Sequence, residues 1–372
     1  MRKATYPPEN IFYQFLTEGS QQSIVATGSG HIHDTWWIRN ADSNNPDYIL
    51  QRINSKVFPD VNLLMSNIIT VTKHLKDKRL DSDPMEHLEV ISTKENASYF
   101  TDAEGEYWRM FRKIDPGCSY DIVPDPDVAY QAGQAFGRFI SDLADLPHTM
   151  IQPVIPGFHS VTMRYQRFRQ AVESDPCKRR QKVTAEVDMA DEYIDRMLTI
   201  PELERTGKLP IRITHNDTKL NNVLFDHHTR AVCVIDLDTV MPGLSVYDFG
   251  DSIRTAANTS HEDETDLTRT NFDTVIFRSY ADGFLKSLGH LLTPKETHVL
   301  PLAAQTITYI MGIRFLTDYL EGDHYFATHR PGHNLSRCRT QFTLLKKMIQ
   351  QHTFCTDTIG ELLEKHQLSQ KS

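Results

Sequence analysis

The stretch that most constrains this chain is Ile213-Thr-His-Asn-Asp-Thr-Lys-Leu-Asn-Asn222-Val-Leu-Phe225, followed by Val232-Cys-Val-Ile-Asp-Leu-Asp238. His215, Asp217 and Asn222 fall at the spacing H-x-D-x-x-x-x-N, and Asp236 closes an apolar run. Phosphoryl transfer from a nucleotide needs such a set. One carboxylate orients the acceptor hydroxyl and takes its proton, while an amide oxygen and a second carboxylate hold magnesium on the phosphates. The spacing therefore assigns Asp217 as base and Asn222 and Asp236 as metal ligands. The apolar runs on either side read as short buried strands that hold the loop rigid. His215 reads as a brace for the loop backbone rather than a proton carrier. Lys219 and Asp238 are left between a phosphate-side role and a purely structural one.

The rest of the chain divides around residue 113. Residues 10 to 18 place Ile11, Phe12, Phe15 and Leu16 on one face of a short helix. Ser23 to Arg39 reads as strand, glycine turn, strand, and Tyr48–Ile53 as a third strand. A helix over about 60–75 follows, then strands at Leu88–Ile91, Tyr99–Phe100 and Tyr107–Arg112. Beyond Gly117 the pattern turns helical. Asp125-Pro126 is a capping residue followed by proline at the first helical position. Long helical patterns recur at 158–173, 180–200, 268–287, 293–320 and 334–352. The expected fold is α+β and bilobal: an antiparallel-sheet lobe over 1–113 that binds nucleotide, and a mainly helical lobe over 114–372 with the catalytic loop and acceptor site.

Gly28-Ser29-Gly30 sits in the first hairpin, where absent Cβ atoms let backbone N–H groups approach phosphates. Glycines serving only a tight turn would give the same sequence. Asp248, Asp251 and Arg254 share a face if helical, and serve either as a brace for the loop or as substrate contacts. Arg314 and Tyr325 supply the donors and flat rings that sugar sites favour.

A formal net charge of -9 argues against a nucleic-acid binder, whose affinity rests on clustered Lys and Arg. Five cysteines without a C-x-x-C pair point to reduced thiols. The first residues lack the apolar core of a signal peptide, and no segment reads as the roughly 20 apolar residues that span a bilayer. A soluble, cytoplasmic enzyme is expected.

These motifs resemble those of the aminoglycoside phosphotransferase-like kinases and, within them, most closely the bacterial N-acetylhexosamine 1-kinases. The likeness is carried by Gly28-Ser-Gly-His31, Tyr48-Ile-Leu-Gln51, the Thr214–Asn222 loop and Ile235-Asp-Leu-Asp-Thr239. Met241-Pro-Gly243, Asp248–Arg254, Arg314–Asp323 and Tyr325–Thr328 extend it. The resemblance implies a kinase-like fold, ATP with Mg2+, and transfer of the γ-phosphoryl to the anomeric hydroxyl of N-acetylglucosamine or N-acetylgalactosamine. It implies Asp217 as base, Asn222 and Asp236 as metal ligands, and His31, Arg314 and Tyr325 as sugar contacts. ATP and a small sugar would be the only partners, with no nucleic acid, membrane or obligate protein. Three departures stand out. Gln51 and Arg52 occupy the third strand where a phosphate-pairing lysine is expected, leaving Arg52 as its substitute. Asn67 and Ile68 fall where that lysine's glutamate would be, and Asn216 replaces a common glycine. The alternatives are a kinase of the same fold for an aminoglycoside, choline or another sugar, and a catalytically silent nucleotide-binding module.

Overall fold

The computed structural model describes residues 10–27, 32–80, 85–115 and 117–369. Strands β1 (Gln21–Ala26), β2 (Asp34–Asn40) and β3 (Tyr48–Ile53) precede helix α1 (Val61–Lys78), and β4 (Phe100–Thr101) and β5 (Tyr107–Arg112) follow it. They form one antiparallel sheet in the order β1-β2-β3-β5-β4. Alternation gives the sheet two faces. Trp36, Ile38, Tyr48, Leu50, Trp108 and Met110 point to one side and pack with Ile11, Phe12 and Phe15. Ile53 and Phe111 point to the other and join α1 in a larger core that continues into the carboxyl-terminal half.

That half contains α2 (Pro126–Asp142), α3 (Val161–Ser174), α4 (Thr184–Met197), α5 (Thr199–Arg205), α6 (Ser245–Ala256), α7 (Thr274–Leu288), α8 (Pro294–Glu321), α9 (His333–Gln350) and α10 (His352–Ser369). The Asp125 side chain caps α2 by accepting the Val128 N–H at 2.9 Å. Two small ladders interrupt the helices: β6 (Arg212–Thr214) with β9 (Met241–Gly243), and β7 (Val223–Phe225) with β8 (Ala231–Val234). Gly133 and Gly283 let α2 and α7 touch through their backbones. A Cβ at either would lie 2.2 Å or 2.0 Å from a carbonyl oxygen of the facing helix.

Three expectations are corrected. The helix over 10–18 is only a 3-10 turn at Phe12–Gln14, because its apolar residues are satisfied by the sheet face rather than by a helix of their own. Leu88–Ile91 is not a strand. It adds single ladder bonds beside β5 (Ile91 N–H to Met110 at 2.8 Å, Arg112 N–H to Glu89 at 2.9 Å) before diverging. Helix α8, with 28 residues, is long and apolar enough to cross a membrane, but its most apolar window is 83% buried inside the fold. It is the central core helix, packed against α3, α6 and α9.

Candidate active site

The loop from His215 to Asn222 leaves β6 and enters β7, and its backbone donors are claimed by side chains of α6. Asp248 accepts the N–H groups of His215 (2.7 Å) and Asn216 (2.8 Å), and Asp251 accepts that of Thr218 (3.1 Å). The Thr218 hydroxyl returns a bond to the Asp248 carbonyl at 2.6 Å. Arg254 binds the other oxygen of Asp251 at 2.8 Å and 3.0 Å. Carboxylates buried to this degree are stable only when their lone pairs are filled, and here loop amides fill them. Asp248 and Asp251 therefore brace the loop. His215 is buried between the edges of Phe136 and Phe139, its Nε2 donating to the Ile235 carbonyl at 2.9 Å. Burial holds its pKa below the ordinary value.

Asn216 has φ +66°, a left-handed conformation that Asn tolerates better than most side chains. Its amide donates to the carbonyls of Thr214 and Thr239, at 3.1 Å and 3.0 Å. The replacement of a glycine at this position thus keeps the backbone shape and adds two bonds.

Asp217 is half-buried at the tip, 3.1 Å from the ammonium of Lys219. Asp217 is the first cause of the upward shift of the Lys219 pKa. Asn222 donates through Nδ2 to the Asp217 carbonyl at 2.8 Å and to its carboxylate at 3.3 Å, which leaves Oδ1 as the atom able to hold a cation. The Ile235 N–H bonds the Asn222 carbonyl at 2.9 Å, so the pairing of β7 with β8 sets Asp236 beside Asn222. Asp236 is also left-handed, with φ +62°, and its side chain opens to solvent. Desolvation by the surrounding protein, then the charges of Asp238 and Asp217, push its carboxyl up to about 6. A group so placed gains by binding a cation. Among the described residues no cluster of three or more His, Cys, Asp or Glu forms a self-sufficient cage. Two protein oxygens suit a hard divalent ion that takes its remaining ligands from phosphate and water.

Asp238 faces the sheet. Arg109 of β5 binds it through both terminal nitrogens, the Nη2 to Oδ2 bond being 2.8 Å, and His33 donates to it through Nε2. His33 Nδ1 accepts the Asn54 N–H at 3.0 Å, which assigns the neutral tautomer. Arg109 Nε also donates to Gln51 at 2.9 Å, and Gln51 donates to Thr35 at 3.2 Å, a polar row across β5, β3 and β2. Burial opposes ionisation of Asp238, but Arg109 and then His33 outweigh it and hold the carboxyl below the ordinary range. Asn67 of α1 adds a second tie between the halves, donating to the Gln152 carbonyl at 2.7 Å.

Arg52 is not brought to this group. It follows Gln51 and so projects from the opposite face, where it pairs with Asp34 (Nε to Oδ2 2.9 Å) over the Trp108 ring. The cation on the Asp238 side is Arg109, whose signal was a charge in the middle of the apolar strand Tyr107–Arg112. Gly28, Ser29, Gly30 and His31 lie outside the described residues.

The structure does bring Arg314 and Tyr325 together. The Arg314 guanidinium lies 5.8 Å from the Tyr325 ring, 5.3 Å from Phe326 and 5.8 Å from Phe158. Asp318 organises the loop that carries Tyr325. It accepts the N–H groups of His324, Tyr325 and Phe326 at 2.8–2.9 Å, and the Asn334 amide of α9 at 2.8 Å. His159, which the sequence did not single out, joins this group to the loop. Its Nε2 donates to the Asn216 carbonyl at 3.0 Å, and Asp251, Arg314 and Asp217 are its charged neighbours.

A family model described as the phosphotransferase enzyme family matches residues 23–283, well over half of the chain. Among solved structures, the chain is similar to an aminoglycoside phosphotransferase from Alicyclobacillus acidocaldarius (TM-score 0.65, 14% identity, 98% of each chain covered). It is similar also to a microcompartment-associated aminopropanol kinase (TM-score 0.65, 14% identity, 94% of this chain and 97% of that one). An amicoumacin kinase solved with AMP-PNP and Ca2+ aligns with TM-score 0.59 at 9% identity, over 88% of this chain and 90% of that one. At such identities the likeness is one of fold. The loop geometry and the family match agree, and the chain belongs to the phosphotransferase enzyme family.

Proposed function

We propose that this chain transfers the γ-phosphoryl of ATP to the anomeric hydroxyl of an N-acetylhexosamine. In this reading Asp217 orients the hydroxyl and takes its proton. Asn222 Oδ1 and Asp236 hold Mg2+, which neutralises charge on the transferring phosphate. Arg314, Tyr325 and His31 contact the sugar, and Gly28, Ser29 and Gly30 approach the phosphates. Residues 1–113 form the nucleotide lobe and 114–372 the acceptor lobe. The observation that supports the reading is that His159, bonded to the Asn216 carbonyl next to Asp217, packs its ring against Phe158, over whose ring the Arg314 guanidinium lies. An anomeric hydroxyl is more acidic than an ordinary alcohol, so a positioned carboxylate suffices as base.

The similarity to an aminopropanol kinase supports a second reading, a cationic amino alcohol as acceptor. ADP release with Mg2+ and ATP across N-acetylglucosamine, N-acetylgalactosamine, glucosamine, choline and kanamycin separates the two, with phosphorus NMR to locate the new phosphate. A sugar 1-phosphate, reduced roughly 10²–10⁴-fold in Asp217→Asn while nucleotide still binds, supports the proposal. Turnover with choline or kanamycin alone overturns the acceptor.

A further inference from the structure

Asp236 is a left-handed residue (φ +62°) at the head of the 3-10 turn Leu237–Thr239. A lone Asp keeps that conformation only where its surroundings fix it. Here the turn is fixed from two sides. Towards the catalytic loop, the Thr239 hydroxyl donates to the His215 carbonyl at 2.7 Å, and the Asn216 amide donates to the Thr239 carbonyl at 3.0 Å. Towards the sheet, the link is the Asp238 carboxylate, held by Arg109 and His33.

These two partners differ in kind. Arg109 pairs with both oxygens of Asp238, so the negative charge is met without His33. A neutral imidazole adds no charge; what it adds is direction. Its Nε2 donates to Asp238 Oδ2, and its Nδ1 accepts the Asn54 N–H at 3.0 Å. Asn54 in turn donates through Nδ2 to the Ile32 carbonyl at 3.2 Å. The ring stacks on Phe58, with centroids 5.6 Å apart and planes 25° from parallel. Phe58 belongs to the core that also takes in α1 and Leu237 of the turn. Bonds running from Ile32 through Asn54 and His33 to Asp238 thus tie the start of β2 and the end of β3 to the turn that carries Asp236.

Both ring nitrogens of His33 are spent on these bonds, and its side chain is only 6% exposed. No lone pair is left for a metal and no proton for a substrate, so the ring can act only through what it holds. Partners that stand behind a metal ligand orient it and govern its affinity for the ion.

We propose that His33 is a positioning residue for Asp236: acting through Asp238, it sets the Asp236 carboxylate relative to the sheet and so controls how much a divalent ion adds to nucleotide affinity. This rests on the reading of Asp236 as a metal ligand and of residues 1–113 as the nucleotide lobe, and it is independent of the acceptor.

The test is calorimetric binding of AMP-PNP to the full chain, once with Mg2+ and once with EDTA. The quantity read is the gain from Mg2+, the ratio of the two dissociation constants. His33→Phe keeps a ring on Phe58 but bonds neither partner. His33→Gln keeps a donor at the Asp238 end, and His33→Asn keeps an acceptor at the Asn54 end. The gain should fall by roughly 10- to 100-fold in His33→Phe and His33→Asn, and most of it should return in His33→Gln. Binding in EDTA should change little. An unchanged gain in His33→Phe overturns the proposal. Equal weakening with and without Mg2+ overturns it too, because a merely structural role lowers both. Equal losses of the gain in His33→Gln and His33→Asn exclude the Asp238 bond as the link. Urea unfolding establishes that each variant is folded, and if His33→Phe is not, the contrast of His33→Gln with His33→Asn decides. Asp236→Asn separates this proposal from the reading beneath it. A gain lost there but kept in His33→Phe leaves the metal assignment standing and removes His33 alone. A gain kept in Asp236→Asn, or absent from wild type, overturns both.

Discussion

Replacing Arg109 with methionine keeps an unbranched apolar stem and removes the guanidinium that binds Asp238. The Arg109 and Asp238 side chains are 2% and 4% exposed, so the orphaned carboxylate cannot turn to water and keeps only His33. Breaking a buried pair from one side costs about 3–5 kcal/mol, because the remaining charge stays desolvated. The neighbouring variant Arg52→Met is an internal control. Its partner Asp34 is about a third exposed, and a pair of that kind is worth less than about 1 kcal/mol. Urea unfolding followed by tryptophan fluorescence should therefore separate two arginines of neighbouring strands by at least about 2 kcal/mol. The double variant Arg109→Met/Asp238→Asn should regain part of the loss, since the unpaired charge has gone. Activity should follow the same order. Asp238 anchors the turn that starts at Asp236, so kcat should fall in Arg109→Met and persist in Arg52→Met. Equal stabilities for the two single variants, or no recovery in the double variant, would refute the reasoning.

A Cβ at Gly250 would lie 2.6 Å from the Ala303 carbonyl oxygen, so Gly250→Ala should push α6 from α8 and cost about 1–3 kcal/mol in urea unfolding. Because α6 carries Asp248 and Asp251, kcat should drop in the same variant. His159 ionises in the unfolded chain near its ordinary 6.5 but in the fold only near 4. Unfolding therefore takes up a proton between those values, and stability falls there as the pH is lowered, by up to about 1.4 kcal/mol per unit. Above pH 6.5 the contribution is flat, and in His159→Phe the pH dependence of unfolding should be shallower by one proton. Asp318→Ala should free the amides of residues 324–326 and raise KM for the acceptor roughly tenfold, with nucleotide affinity unchanged. A parallel loss of nucleotide binding would assign Asp318 a general structural role.

The meeting of Asp217 with Asn222 was legible because it is local: the two stand five residues apart, and a short loop must bring them together. The strands and the capped α2 were legible for the same reason, through alternation and an Asp-Pro boundary. Arg52 was named because it stands on the third strand where a lysine is expected, and only the register of β3 against β5 shows that Arg109 takes the face towards Asp238. Phe12 and Phe15 have helical spacing, yet they pack on a sheet whose position no local pattern reveals. His159 and Arg164 carry no motif. Their places are set by the Asn216 carbonyl, 57 residues from His159, and by the Phe158 carbonyl that Arg164 binds.

The loops that carry Asp217 and Tyr325 hang from different supports. The one with Asp217 is fastened to α6 by Asp248 and Asp251, and the one with Tyr325 to α8 and α9 by Asp318 and Asn334. Residues can therefore be exchanged around Tyr325 without loosening the braces of the Asp217 loop. A scaffold fastened in this way can trade one acceptor for another by small steps, each leaving a working catalyst behind.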